Sequence, residues 1–159
     1  MTAKTKACAR CSGAMNPATL DKVSVDEGVL RLTMSGLPVY ACPKGHRAPV
    51  HGDFMVWLMR ELRSKHVPSI PGGEAKGMLF KKYHCACGAE LPAQPARNAS
   101  FGFDLAYPES PAFKAEVEVA VYKCPGCGKE QARSAKDVAG ATPAAVAALN
   151  DAAGFPHSG

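Results

Sequence analysis

The sequence predicts a small α+β protein: two tandem units of antiparallel strand, each closed by cysteine-bearing turns and each followed by a helix. Three observations carry this. A phrase occurs twice, Val39-Tyr40-Ala41-Cys42-Pro43 and Val121-Tyr122-Lys123-Cys124-Pro125, running each time from strand-like residues into a cysteine, a proline and a tight turn. Each phrase has an earlier thiol pair, Cys8-x2-Cys11 for the first and Cys85-x-Cys87 for the second. Alternating apolar and polar residues lead into both phrases, the period of a half-buried strand.

In order along the chain, Cys8 to Gly13 reads as a knuckle, a turn whose backbone amides point at thiolate sulfurs. Thr19 to Val25 and Val29 to Met34 are strands around an Asp26-Glu27-Gly28 turn; in the second, Leu30, Leu32 and Met34 alternate with Arg31 and Thr33. Ser35-Gly36 is expected to break the run before Leu37 to Ala41 reaches Cys42. Asp53 is placed to cap a helix running to about His66, with Phe54, Trp57, Leu58 and Leu62 on one face and Met55, Val56 and Met59 widening it. Pro68, Pro71 and Gly72-Gly73 mark residues 67–83 as a linker, with Met78-Leu79-Phe80 anchoring its far end. The domains are then 1–66, a ribbon plus helix, and 84–159, a second ribbon plus C-terminal helix. In the second, Phe101, Phe103, Leu105 and Tyr107 alternate, as do Val117, Val119 and Val121. Thr142-Pro143 reads as the start of an Ala-rich helix whose apolar face, Val146 and Leu149, is slight and weakly docked.

Two halves of about 70 residues have modest cores, and chains of that size lean on metals or disulfides. The 159-residue chain has seven cysteines, an odd number that argues against a closed disulfide set. No apolar run suits a signal peptide or a membrane span, so a reducing, cytoplasmic setting is expected, where thiols bind metal more readily than they pair. Zinc suits four thiolates, or three with an imidazole, in a tetrahedron without an open position. The expected ligands are Cys8, Cys11, Cys42 and His46 for one ion and Cys85, Cys87, Cys124 and Cys127 for a second. His51 is the rival fourth ligand at the first site and His84 a substitute at the second; His66 and His157 read as ordinary surface histidines. The architecture is thus two tandem zinc ribbons, antiparallel β with zinc knuckles.

Residues 8–66 resemble the YgiT-type zinc-finger domain that forms the N-terminal half of MqsA-type antitoxins. Cys8-x2-Cys11, the strand pair, Ser35-Gly36-Leu37-Pro38-Val39-Tyr40 before Cys42, and the following helix carry the likeness. It implies a structural zinc and a surface for a protein partner. The family has a second Cys-x2-Cys where this chain has Cys42-x3-His46, and continues into a helix-turn-helix where this chain has more cysteines. DNA binding and toxin neutralisation therefore do not carry over. The remainder is similar to generic four-cysteine zinc ribbons.

The formal charge of +5 invites nucleic acid, but seven thiolates and two divalent ions reduce it to about +2, a weak footprint for phosphate contacts. Lys4, Lys6, Arg10, Lys44 and Arg47 lie near the first site in sequence, and Lys123, Lys129, Arg133 and Lys136 near the second. No catalytic motif appears, and Glu116 and Glu118 read as a solvated face rather than paired acids. The reading is a non-enzymatic, regulatory binding module for protein or nucleic acid, with a possible homodimer through the 53–66 helix. A thiol-redox enzyme is the lesser alternative.

Overall fold

The computed structural model describes residues 6–156 apart from Met78 and Phe80, so expectations for Lys4, Met78, Phe80 and His157 lie outside the described residues. In chain order the strands are β1 (Lys6–Ala7), β2 (Ala14–Asp26), β3 (Leu30–Ala41), β4 (Arg47–Pro49), β5 (Glu74–Lys76), β6 (Lys82–His84), β7 (Arg97–Leu105), β8 (Phe113–Lys123) and β9 (Glu130–Ala132). The helices are α1 (Phe54–Glu61), continued by a π turn and a 3-10 turn to Ser69, and α2 (Ala135–Ala152).

Two long hairpins, β2–β3 and β7–β8, join edge to edge in one antiparallel sheet of order β1-β2-β3-β8-β7. β3 and β8 pair directly, from Leu30 opposite Val119 to Ser35 opposite Lys114. Past that ladder β4 takes the free side of β3 and β9 that of β8, while β5 and β6 form a separate pair. This overturns the expected tandem ribbons, each a unit followed by its own helix. An unpaired strand edge is a row of unsatisfied donors and acceptors, and here the two hairpins satisfy each other's. α2 also crosses over, packing chiefly on β2, β3 and α1 rather than on the hairpin that precedes it.

One face of the sheet carries the core. Leu30, Leu32 and Met34 of β3 and Ala115, Val117 and Val119 of β8 point inward, as their alternation predicts, against Phe54 and Leu58 of α1, Leu62 of the π turn that continues it, and Val146 and Leu149 of α2. Each such leucine or phenylalanine contributes about 1.5–3 kcal/mol on leaving water. On the opposite face Arg31, Thr33, Glu116 and Glu118 stand among polar neighbours, with Arg31 reaching Glu118 at 4.0 Å.

Other expectations need correction. β3 does not stop at Ser35-Gly36: Gly36, at φ 70°, lets the strand run on while the buried set moves from Leu30, Leu32 and Met34 to Leu37 and Val39. The Asp53 side chain does not cap α1, because its Oδ1 is engaged by His51 Nδ1 and by the Tyr107 hydroxyl. The segment 67–83 is not merely a spacer. Val67 and Ile70 enter the main core, and the Gly73 amide donates to the Ala132 carbonyl at 2.9 Å. Leu79, expected to anchor this segment, is 90% exposed. α2 begins eight residues before Thr142-Pro143: Ser134 caps it by accepting from the Asp137 amide, and Pro143 lies inside it. Its docking is not slight, since Ala145, Leu149 and Ala153 are fully buried.

Candidate metal centres

Four tight turns carry the eight candidate donors, and they fall into two shapes. In the long turns the amide of the first cysteine donates five residues ahead: Cys8 to the Gly13 carbonyl and Cys124 to the Lys129 carbonyl. In the short ones it donates four ahead: Cys42 to His46 and Cys85 to Ala89. A left-handed residue closes every turn, Ser12 and Gly128 in the long pair, Gly45 and Gly88 in the short pair. Each centre therefore combines one long and one short turn, in opposite chain order. The repeated Cys-Pro phrase joins unlike turns: Cys42 shares its geometry with Cys85, not with Cys124.

The turns bring together Cys8, Cys11, Cys42 and His46 in one group and Cys85, Cys87, Cys124 and Cys127 in the other, with all donor atoms of a group within 4.8 Å of one another. Individual edges are 3.4 Å from Cys8 Sγ to His46 Nδ1, 3.8 Å from Cys11 to Cys42, 3.6 Å from Cys85 to Cys127 and 3.5 Å from Cys87 to Cys124. Sulfurs about 2.3 Å from a tetrahedral ion stand about 3.8 Å apart, whereas disulfide sulfurs are about 2.05 Å apart. The cysteines are all free. Both groups can hold a metal ion.

Local chemistry favours the thiolate at Cys8, Cys85 and Cys124 and opposes it at Cys11 and Cys87. Burial opposes the charged form of Cys8, but the amides of Arg10 and Cys11 outweigh it and bring its pKa down to about 6. The Cys87 amide, with the Gln131 side chain, lowers Cys85 to about 6, and the Cys127 amide lowers Cys124. For Cys87 the Ala89 amide favours the thiolate, yet the sulfurs of Cys124 and Cys85 prevail and push the group up to about 11. Like charges at this spacing repel, which is the situation a divalent cation relieves. Gly126 gives the sulfurs room: a Cβ there would lie 3.0 Å from Ala89 Cβ and 3.4 Å from Cys87 Sγ.

The rival ligands are placed elsewhere. His51 stacks on Tyr107 and pairs with Asp53, whose carboxyl is held below its ordinary range first by the Tyr107 hydroxyl and then by His51. His84 precedes the second group without joining it, and its buried Nδ1 has no hydrogen-bond partner. His66 lies against Phe103, with ring centroids 4.4 Å apart. Gln131 was not anticipated from sequence. It is 1% exposed, and its Nε2 meets no acceptor at full hydrogen-bonding geometry, yet it bears on the Cys85 sulfur closely enough to stabilise the thiolate.

The two centres sit at opposite ends of the sheet, because Cys42 follows the C-terminal end of β3, Cys124 follows that of β8, and those strands are antiparallel. Each has a small apolar surround, Met15 and Ala48 at the first and Leu91 and Tyr122 at the second, separate from the main core. Among the described residues no helix is long and apolar enough to cross a membrane. No protein-family model, curated protein or solved structure matches the chain.

Proposed function

We propose that the chain binds two structural zinc ions and acts as a non-enzymatic contact module, presenting two metal-clamped tips to a macromolecular partner. The observation that carries the reading is the pair of four-donor groups, each with all donor atoms within 4.8 Å of one another and two of its edges at 3.4–3.8 Å. Sulfur-rich tetrahedral sets select zinc over harder cations, and four protein donors leave no position at which water is activated. What such centres supply is shape: the ends of the sheet become rigid turns at a cost the strands alone do not cover. Exposed Arg10 and Lys44 lie within the turns of the first tip with Lys6 just before Cys8, and exposed Lys123 and Lys129 flank Cys124 and Cys127 at the second, so an acidic surface, nucleic acid or protein, is the complementary partner.

Elemental analysis of the purified chain tests the metal reading. Two zinc ions per chain, with cobalt substitution giving intense thiolate-to-metal absorption and tetrahedral visible bands, is the expected result. A chain that retains no metal, or whose cobalt form lacks thiolate absorption, overturns it. Retention of labelled nucleic acid that weakens with salt then separates nucleic acid from a protein partner recovered by pull-down.

A second reading, a protein-contact role like that of the antitoxin domain the first half resembles, is favoured by α1. Val56 is 61% exposed beside half-buried Met55 and Met59, while Phe54, Leu58 and Leu62 are committed to the core. Val56→Asp abolishes capture of a protein partner under this reading and leaves it intact under the first.

A further inference from the structure

The two donor groups differ in what they show to solvent. At the first, Cys8 and Cys42 are buried, Cys11 is half-buried and the fourth donor is an imidazole. The C-terminal segment also closes over it: Pro156 lines a cavity of about 70 Å³ with Cys8, Arg10 and His46, and Arg47 Nη1 donates to the Ala153 carbonyl at 3.4 Å. At the second, Cys85 and Cys124 are 4% and 1% exposed, but Cys87 and Cys127 face solvent. Thiolates attack peroxides, and their reactivity follows thiolate character and exposure; in the zinc-loaded chain ligation would hold all four sulfurs of the second centre as thiolates, Cys87 included, so exposure tells them apart, and imidazole is inert to this chemistry. Each exposed sulfur has a buried sulfur of the opposing turn as a near neighbour, Cys124 at 3.5 Å from Cys87 and Cys85 at 3.6 Å from Cys127.

We propose that the second centre is an oxidation site, at which hydrogen peroxide links Cys87 to Cys124 and Cys127 to Cys85 and the metal leaves, while the first centre keeps its own. This rests on the zinc reading above. The Cys87 thiolate attacks one peroxide oxygen, the O–O bond breaks, and a sulfenic acid forms while the departing hydroxide takes a proton to become water. The Cys124 thiolate then displaces hydroxide from that sulfur, forming the S–S bond, and a second proton completes a second water. Two electrons pass from two thiolates to one peroxide, and Cys127 with Cys85 consumes another peroxide in the same way. Each disulfide ties the same two turns that the metal ties, so this end of the sheet stays closed. What changes is charge. Four thiolates around a divalent ion are net negative, two disulfides are neutral, and the tip whose turn is flanked by Lys123 and Lys129 becomes more basic. Oxidation thereby strengthens attraction to an acidic partner.

The test treats the full zinc-loaded chain with hydrogen peroxide at neutral pH, follows zinc release with a chromophoric chelator and maps cysteines by alkylation and mass spectrometry. The expected result is biphasic release, one ion about tenfold faster than the other. In the fast phase Cys87–Cys124 and Cys85–Cys127 are linked, while Cys8, Cys11 and Cys42 remain alkylatable after denaturation. Equal rates, earlier oxidation of the first centre, or other pairings overturn the proposal. If the chain carries no zinc at the outset, the metal reading falls, and the disulfide map of the metal-free chain decides alone: the two named pairings uphold the oxidation site and any other pattern overturns it.

Discussion

A primary amide is costly to bury without a partner, and Gln131 is buried in the short strand β9 with its nitrogen unmatched by any well-aligned acceptor. With a metal bound, the Cys85 sulfur beside it would resolve the difficulty, since N–H···S donation would neutralise part of the excess charge of four thiolates. Gln131→Leu keeps the volume and removes the donor. Zinc transfer from the second centre to a competing chelator should then quicken by about tenfold or more, with the first centre unchanged. The metal-free chain should not lose stability, because an unsatisfied polar group has been replaced by an apolar one. Unchanged transfer together with a destabilised metal-free chain would show that the amide serves packing alone. The eight donors were legible in the sequence because cysteine and histidine beside glycine-bearing turns have few other uses. Gln131 was not, since a buried glutamine between Glu130 and Ala132 looks like any strand residue. Nor was the crossed relation of the turns: both phrases share Cys-Pro, but the spacing to the left-handed residue sets the turn.

Among the elements, the segment before β5 shows why composition misleads. Gly72-Gly73 looks like a hinge, yet it is a close approach. A Cβ on Gly73 would lie 2.8 Å from the His84 carbonyl oxygen and 2.9 Å from that of Arg133, and both are backbone atoms that cannot swing aside. Gly73→Ala should therefore destabilise the chain by about 1–3 kcal/mol. Gly52→Ala, where a Cβ meets nothing within 4 Å, should be near neutral. Urea denaturation of both variants checks this, and a stable Gly73→Ala would mean the segment is free to move. The strands were legible as elements, because the buried Val117, Val119 and Val121 alternate with Glu116, Glu118 and Ala120, of which Glu116 is exposed and the other two half-buried, and one face had to be buried. The start of α2 was not. Ser134-x-x-Asp137 and Thr142-Pro143 are both plausible helix openings, and proline inside a helix is normally excluded by its lost hydrogen bond. Tertiary packing decided between them: Val138 and Thr142 are buried, and the Thr142 hydroxyl donates to the Val138 carbonyl.

At the scale of the molecule, alternation fixes which face of a strand is buried but not which strand lies beside it. The β3–β8 ladder was invisible for that reason, and it decides how the protein unfolds. The main core draws Leu32 and Phe54 from one half and Val117 and Leu149 from the other, so neither half can open without exposing residues of both. The two donor groups lie outside that core, at the two ends of the sheet, where a bound metal would rigidify turns without dividing the chain. The zinc-loaded chain should consequently melt in one calorimetric transition, with calorimetric and van't Hoff enthalpies in agreement. A strong chelator should lower the midpoint, since ligands bound only by the native state stabilise it by mass action, but should not split the transition. Chains cut to residues 1–66 or 84–159 should stay unfolded even with zinc, each having lost the strand that satisfies its inner edge; the first also loses the α2 that covers β2 and β3. Two resolved transitions, or a zinc-dependent fold in either fragment, would instead mean that each hairpin stands alone and that the shared ladder is a docking contact between independent units.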